Sequence, residues 1–322
     1  METPEQSNRG READIEGTEH ISAGTGGTRT LILEDLGAET EETEVKHQRK
    51  GKFGVLFFAS LFWLILILIF AAFADLLPVP DPNRTNVSQA RIPPFTDGYF
   101  LGTDGLGRDV FSRIVHGARV SVIISVSAVA TGMIVGGTLG LTAGYLRGKY
   151  ESLVMGGVNT LLAFPGLVLL LALVAFMGQN LLAVTAAVAF LSIPTYTRVA
   201  RATTLAVSQR EYVMAAKALG AKPRRILFRE IAPNVALPVA AFGLIALGTI
   251  VVLEGTLAFL GLSVQPPQAT WGSMINEGRR FISSGQYYMT LVPALVLFFT
   301  VFSLNYVGDA MRNRFDVREA QL

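Results

Sequence analysis

Cysteine is absent from this chain of 322 residues, which removes disulfide frameworks, zinc ribbons, iron–sulfur sites and thiol nucleophiles together. Charge is scarce as well: 16% of the residues are Asp, Glu, Lys or Arg, against roughly 25% in an ordinary soluble domain. The three histidines, His20, His47 and His116, are scattered. No His-Glu-x-x-His or Gly-x-Ser-x-Gly segment occurs, which disfavours a membrane-bound hydrolase. A phosphate-binding loop is missing too. Gly148-Lys149 is followed by Tyr150 and has Ala143 where the first glycine belongs, so nucleotide binding is expected to fall to another chain.

What the chain has in abundance is apolar sequence, 51% of it, gathered into blocks long enough to cross a bilayer. Spanning the hydrocarbon core takes about 20 mostly apolar residues, and six windows qualify: 53–74, 120–146, 153–177, 181–196, 235–262 and 289–307. The first follows Lys46-His47-Gln48-Arg49-Lys50 and ends in Ala72-Phe73-Ala74, imitating a signal peptide. A signal's apolar core runs to only about 7–15 residues, so this window is expected to be an uncleaved first helix. The class predicted is an all-α integral membrane protein with six transmembrane helices.

The net charge of +2 conceals a split. Residues 1–45 hold twelve acids and three bases, net −9, which leaves +11 for the rest. With Leu31-Ile32-Leu33 as its one apolar cluster, that acidic stretch has too little to bury against its ordering entropy and is expected to be a disordered cytoplasmic tail. Lys and Arg collect before span one, at Arg147 and Lys149, densely from Arg198 to Arg229, and at Arg312, Arg314 and Arg318. Six spans put all four groups on one side, the cytoplasmic one, with both termini inside. The expected division is a tail at 1–45, a first helix with an external segment at 46–118, a core of five helices at 119–312, and a C-terminal tail at 313–322. Residues 201–233 form a cytoplasmic loop within that core.

Within the spans, Gly132, Gly136, Gly140 and Gly144 repeat every four residues, a bare stripe that lets another backbone approach closely. Pro165 and Pro194 each remove a donor and kink or loosen a helix. Glu254 is the one acid well inside a span, roughly 12 Å below the end at Leu262 by helical rise. Such a group marks either a pathway or a buried hydrogen-bonded pair, and the sequence leaves both open. The basic run from Phe100 to Arg119 suits the outer interface, which is the preferred reading, or a surface against an external binding protein, and Trp271 is expected at headgroup depth.

The cytoplasmic loop is too patterned for a linker. Ser208-Gln209-Arg210-Glu211 fits a capping box. Tyr212, Ala215, Ala216 and Leu219 then share one helical face, Lys217 complements the C-terminal dipole, and Gly220 suits the left-handed stop position. A short helix over 209–219 is predicted, and Pro223 can open a second one running towards Pro233. The shallow apolar face suits a groove on another protein; headgroups are the other resting place its cations allow.

At these residues the chain resembles a known family. Glu211 to Gly220, followed by Ile231-Ala232-Pro233, is similar to the EAA loop of binding-protein-dependent ABC importer permeases. Leu101 to Val110 with Ser112-Arg113 and Gly117-Ala118-Arg119, Leu161 to Pro165, and Phe259 to Leu262 through Pro266-Pro267 to Trp271-Gly272 narrow the likeness to the C-type subunit of the dipeptide/oligopeptide/nickel group. Met214 and Asn159 stand where relatives commonly carry acids, and Val317 interrupts a closing Asp-Pro-Arg pattern.

The resemblance implies a type I importer permease fold in the cell membrane and no catalytic residue. The implied partners are a B-type permease, two ATPases holding ATP and magnesium, an external solute-binding protein and membrane lipid, with no nucleic acid. Ser208, Glu211, Tyr212, Ala215, Ala216, Lys217, Leu219 and Gly220 would make the ATPase-docking coupling helix, and Glu254 and Asn159 would be pathway candidates. The solute would be short peptides; the same machinery serves nickel or another small solute. A secondary transporter is the rival from a different class, with thin support because no acid–base relay crosses the spans.

Overall fold

The computed structural model describes residues 54–319, with side chains as far as Arg312. The acidic stretch 1–45 and the basic residues just before span one lie outside the described residues. Every regular element among the described residues is helical, and no strand forms among them, as the apolar windows predict.

Helix α1, Val55–Phe73, is apolar all round and buries only Ser60, Ile67 and Ala71. Its bulky flank, including Phe58, Phe62 and Ile65, is exposed, as a helix bathed in lipid requires. Trp63 crosses to the last helix, its indole N–H donating to Thr300 Oγ1 at 3.1 Å. An irregular external segment follows. It is held by Thr103, whose hydroxyl donates to the Gln89 carbonyl and accepts from the Ile92 amide.

Helix α2, Val110–Thr131, begins at Asp109, which accepts the Ser112 amide at 2.9 Å. Burial holds the Asp109 carboxyl above its ordinary range, partly offset by those amide bonds. The helix passes through a π turn at Gly132–Gly136 into α3, Gly137–Leu146. This span starts ten residues before the apolar window, because Arg113, His116 and Arg119 dilute the hydropathy there. Together Val110–Leu146 make 37 residues, about 55 Å of helix against a hydrocarbon core of about 30 Å, so the excess stands outside the bilayer.

The third window is not one rod. Helix α4, Gly148–Ala163, and α5, Gly166–Met177, meet at 90°. Phe164 sits at φ −78°, ψ 139°, the extended conformation forced on a residue that precedes proline. Five helices are thus long and apolar enough to cross, six if the bent pair counts as one. Helix α6, Leu181–Val207, is capped by Asn180 and carries Pro194 inside it, extending eleven residues past the predicted end at Tyr196.

Helix α7, Glu211–Ala218, forms the predicted cytoplasmic helix. The turn Pro223–Arg225 opens with proline at its first position. It does not stop at Pro233. A π turn, Ile226–Ile231, carries it straight into α8, Ala232–Phe259; Pro233 follows closely on that π turn, a place where the regular i→i−4 ladder is already interrupted. On the side expected to be external, α9, Trp271–Gly278, starts from a reciprocal Thr270–Ser273 capping box, and α10, Tyr288–Glu319, closes the bundle.

The core is built by α2, α3, α6 and α8, around Ile124, Ala128, Val184, Val188, Tyr196, Ala200 and Leu257. The glycine stripe sets its spacing. A Cβ at Gly136 would lie 2.5 Å from the Ile193 carbonyl, and one at Gly144 would lie 3.0 Å from the Arg201 carbonyl. Gly132 meets Tyr196, and Gly140 meets the backbone of Thr197. From Gly136 to Gly144, just over two turns, the helix lies against the backbone of α6.

Candidate functional site

Within α7 a single side chain is fully buried. Val213 is 0% exposed and packs into the core cluster that also contains Ile226, Leu227 and Ile231. Half-buried Ala216, one turn further along, lies on the same side. The opposite face is displayed: Tyr212, Ala215 and Leu219 are exposed, Leu219 by 88%. Around them stand the exposed cations Arg210, Lys217, Lys222, Arg224, Arg225 and Arg229.

The ends of α7 differ from expectation in one respect. The capping box does not form. Arg210 occupies the cap position with no side-chain bond, and the Ser208 hydroxyl donates instead to the Leu205 carbonyl at 2.9 Å, because α6 continues to Val207 and claims Ser208 as its own last residue. The stop is as read. Gly220 adopts φ +77°, its amide bonding to the Lys217 carbonyl and that of Ala221 to the Ala216 carbonyl, both at 3.0 Å. That pair of bonds is a Schellman motif. A Cβ at Gly220 would meet nothing within 4 Å, so glycine is required there by backbone conformation alone.

Two arginines of α6 reach α4. Arg201 pairs with Glu151, and Arg198 Nη2 donates to Asn159 Oδ1 at 2.9 Å. Both Arg198 and Asn159 are exposed. Glu254 is wholly enclosed, accepting the Ser121 hydroxyl on Oε2 and the Ser263 hydroxyl on Oε1, each at 3.1 Å. It joins α8, α2 and the loop after α8.

The external segment is a buried ionic lock where an interfacial helix was expected. Arg108 donates to Asp104 and to Glu277, each at 2.6 Å, and Arg113 reaches Glu277 at 3.1 Å. Val110, Ile114 and Val115 are buried around them. The run is amphipathic because it covers the bundle and packs under α9. Arg119 instead clips α1, donating to the Ala71 carbonyl and to Asp75 at 2.7 Å; that hydrogen bond holds the Asp75 carboxyl below its usual range. Trp271 is no headgroup anchor either: it is 1% exposed, with its indole N–H donating to the Ile114 carbonyl at 3.1 Å. The sequence reading missed Val213, Arg198 and the pairing of Arg108 and Arg113 with Glu277; Val213 alone had a signal, its three-residue spacing from Ala216.

Among known proteins, residues 136–320 match the family described as the binding-protein-dependent transport system inner membrane component. A glutathione transport system permease protein, GsiD, of Pectobacterium atrosepticum is 38% identical over 258 residues, covering 80% of this chain and 85% of that protein. A dipeptide transport system permease protein, DppC, of Alkalihalophilus pseudofirmus is 35% identical over 271 residues, 84% of this chain and 88% of the relative. Among solved structures, an inward-facing form of the MetNI methionine ABC transporter superposes with a TM-score of 0.52 at 18% identity, covering 62% of this chain and 94% of that one; this likeness speaks to the fold. The class is therefore a multi-pass membrane permease subunit of an ABC importer. The chain belongs to the binding-protein-dependent transport system inner membrane component family.

Proposed function

We propose that this chain is the C-type transmembrane subunit of an importer for short peptides, and that α7 is its coupling helix. It would supply half of the path, a B-type permease the other half, and two ATPases would hold ATP and magnesium on the cytoplasmic side. A solute-binding protein would deliver peptide from outside. Peptide is the solute favoured because the relatives at 35–38% identity are named for dipeptide and glutathione transport.

One observation carries the coupling role. An eight-residue helix is pinned to the bundle by Val213 while Tyr212, Ala215 and Leu219 face outward. A motion imposed on the outer face passes through that anchor to Ile226 and Ile231, at the root of α8. The shallow apolar patch amid cations fits a groove with an acidic rim. Headgroups would suit the cations equally, and the test separates the two.

Leu219→Asp removes exposed apolar surface without touching the core, and Gly220→Pro destroys a left-handed turn that proline, fixed near φ −65°, cannot adopt. Both variants are expected to insert in the membrane at wild-type level, to lose co-purification of the ATPase, and to reduce peptide uptake at least tenfold. Normal uptake and normal co-purification by both would remove the docking role.

A further inference from the structure

The exposed surfaces of the spans are of two kinds. On α1 and α10 they carry bulky apolar side chains, among them Phe62, Leu295 and Phe298. Where α4 and α6 lie side by side, small and polar residues stand exposed, Gly156, Asn159 and Thr160 from α4 and Thr195, Arg198 and Ala202 from α6, with Leu153 as the bulky residue beside them. Lipid solvates the first kind well and the second badly.

Arg198 sharpens the contrast. It lies on α6 two residues past the apolar window that ends at Tyr196, and Asn159 lies eleven residues from the start of α4. A charged side chain at the inner edge of a span faces headgroups or a water-filled cavity. Arg198 is exposed, does not stretch towards the helix end as a snorkelling side chain would, and bonds sideways to Asn159 Oδ1. Among the described residues no carboxylate comes within ion-pair distance of it, whereas Arg201, one turn nearer the end, is neutralised by Glu151. Asn159 satisfies one donor of the guanidinium fork and leaves its positive charge uncompensated.

We propose that Arg198 and Asn159 form a hydrated cationic station on the wall of the translocation path, one that receives an anionic group, a carboxylate, of the passing solute. This rests on the permease reading and adds to it a place and a chemistry. A fork of five donors presented from a fixed hydrogen bond matches a carboxylate, and a single exposed contact holds it weakly enough to let go.

The absence of cysteine makes the test direct. Gly156 lies one turn from Asn159 on α4, and a Cβ there meets nothing within 4 Å. Gly156→Cys in native membranes opened to the cytoplasmic side is treated with an anionic (sulfonatoethyl) and a cationic (trimethylammonioethyl) methanethiosulfonate. Each rate is normalised to the same reagent's rate with a free thiol. The expected result is modification that favours the anion, with the anion/cation ratio falling roughly tenfold in Arg198→Gln, as one unit charge several Å away across water dictates. Arg198→Lys should retain the ratio, and Phe298→Cys on the lipid face should stay unmodified. If Gly156→Cys is as inert as Phe298→Cys, the face is dry, sealed by lipid or by the second permease, and the proposal falls. An unchanged ratio in Arg198→Gln overturns it as well. Charge-selective labelling in a complex that fails to import peptide would count against the peptide reading alone.

Discussion

Glu254 shows how a buried carboxylate can be held without a cation. Each of its oxygens accepts one serine hydroxyl, Ser121 from α2 and Ser263 from the loop that directly follows α8, so the side chain acts as a clasp between α2, α8 and that loop. Glu254→Ala would leave both hydroxyls without their partner in a void and should cost about 1–3 kcal/mol, read as a lowered unfolding temperature of the purified complex. Glu254→Gln keeps the shape, since a hydroxyl can rotate to accept from the new amide, and is expected to retain both stability and uptake. Lost uptake in a stable Gln variant would assign the carboxylate to the path. Trp271 makes the complementary point: its N–H is satisfied by the Ile114 carbonyl, so a residue type common at membrane interfaces sits in the packed core.

At the scale of elements, backbone approach decides the architecture. Residues along α3 and the π turn meet α6 through glycine alone, and neighbouring positions show how local the requirement is. Gly137 has open space where a Cβ would go, while Gly140 has the Thr197 backbone. Gly140→Ala should therefore destabilise by roughly 1–3 kcal/mol through overpacking, whereas Gly137→Ala should be neutral or slightly stabilising. Yield of monodisperse protein on size exclusion compares the two, and equal losses would show that glycine serves flexibility and not contact. The bent α4–α5 pair is a second local decision, traceable to Pro165 and its extended predecessor Phe164.

The whole molecule is polarised along the membrane normal. One end carries α7 and the exposed cations between Arg210 and Arg229; the other carries the ionic lock of Arg108, Arg113, Asp104 and Glu277, neutral by internal pairing. Exposed cations are densest at the end expected inside, although Arg84, Arg91, Arg279 and Arg280 stand exposed towards the other. Two cysteine variants of the cysteine-free chain check this. Leu219→Cys should react with an impermeant maleimide only after the cells are permeabilised, and Val87→Cys, exposed in the external segment, should react in intact cells. The reverse pattern would invert the topology and with it the coupling role of α7.

The spans, their number, the glycine stripe, the stop at Gly220 and the opening at Pro223 were legible in the sequence because each depends on local pattern: run length, a four-residue period, a φ that glycine permits, an amide that proline lacks. The reach of α2 and α6 beyond their apolar windows, the absent box at Ser208, the burial of Trp271 and the anchoring by Val213 were not legible, because each depends on what lies opposite. Arg108 and Arg113 look like an interfacial basic run until Glu277, more than 160 residues away, is brought against them. Sequence alone thus determined that the chain is a helical membrane protein with a permease-like loop and where proline and glycine break or stop its helices, since these follow from transfer free energy and backbone stereochemistry acting over a few residues. Only tertiary structure decided which charges are neutralised and which remain free, because a charge's fate in low dielectric is set by the neighbours that packing supplies.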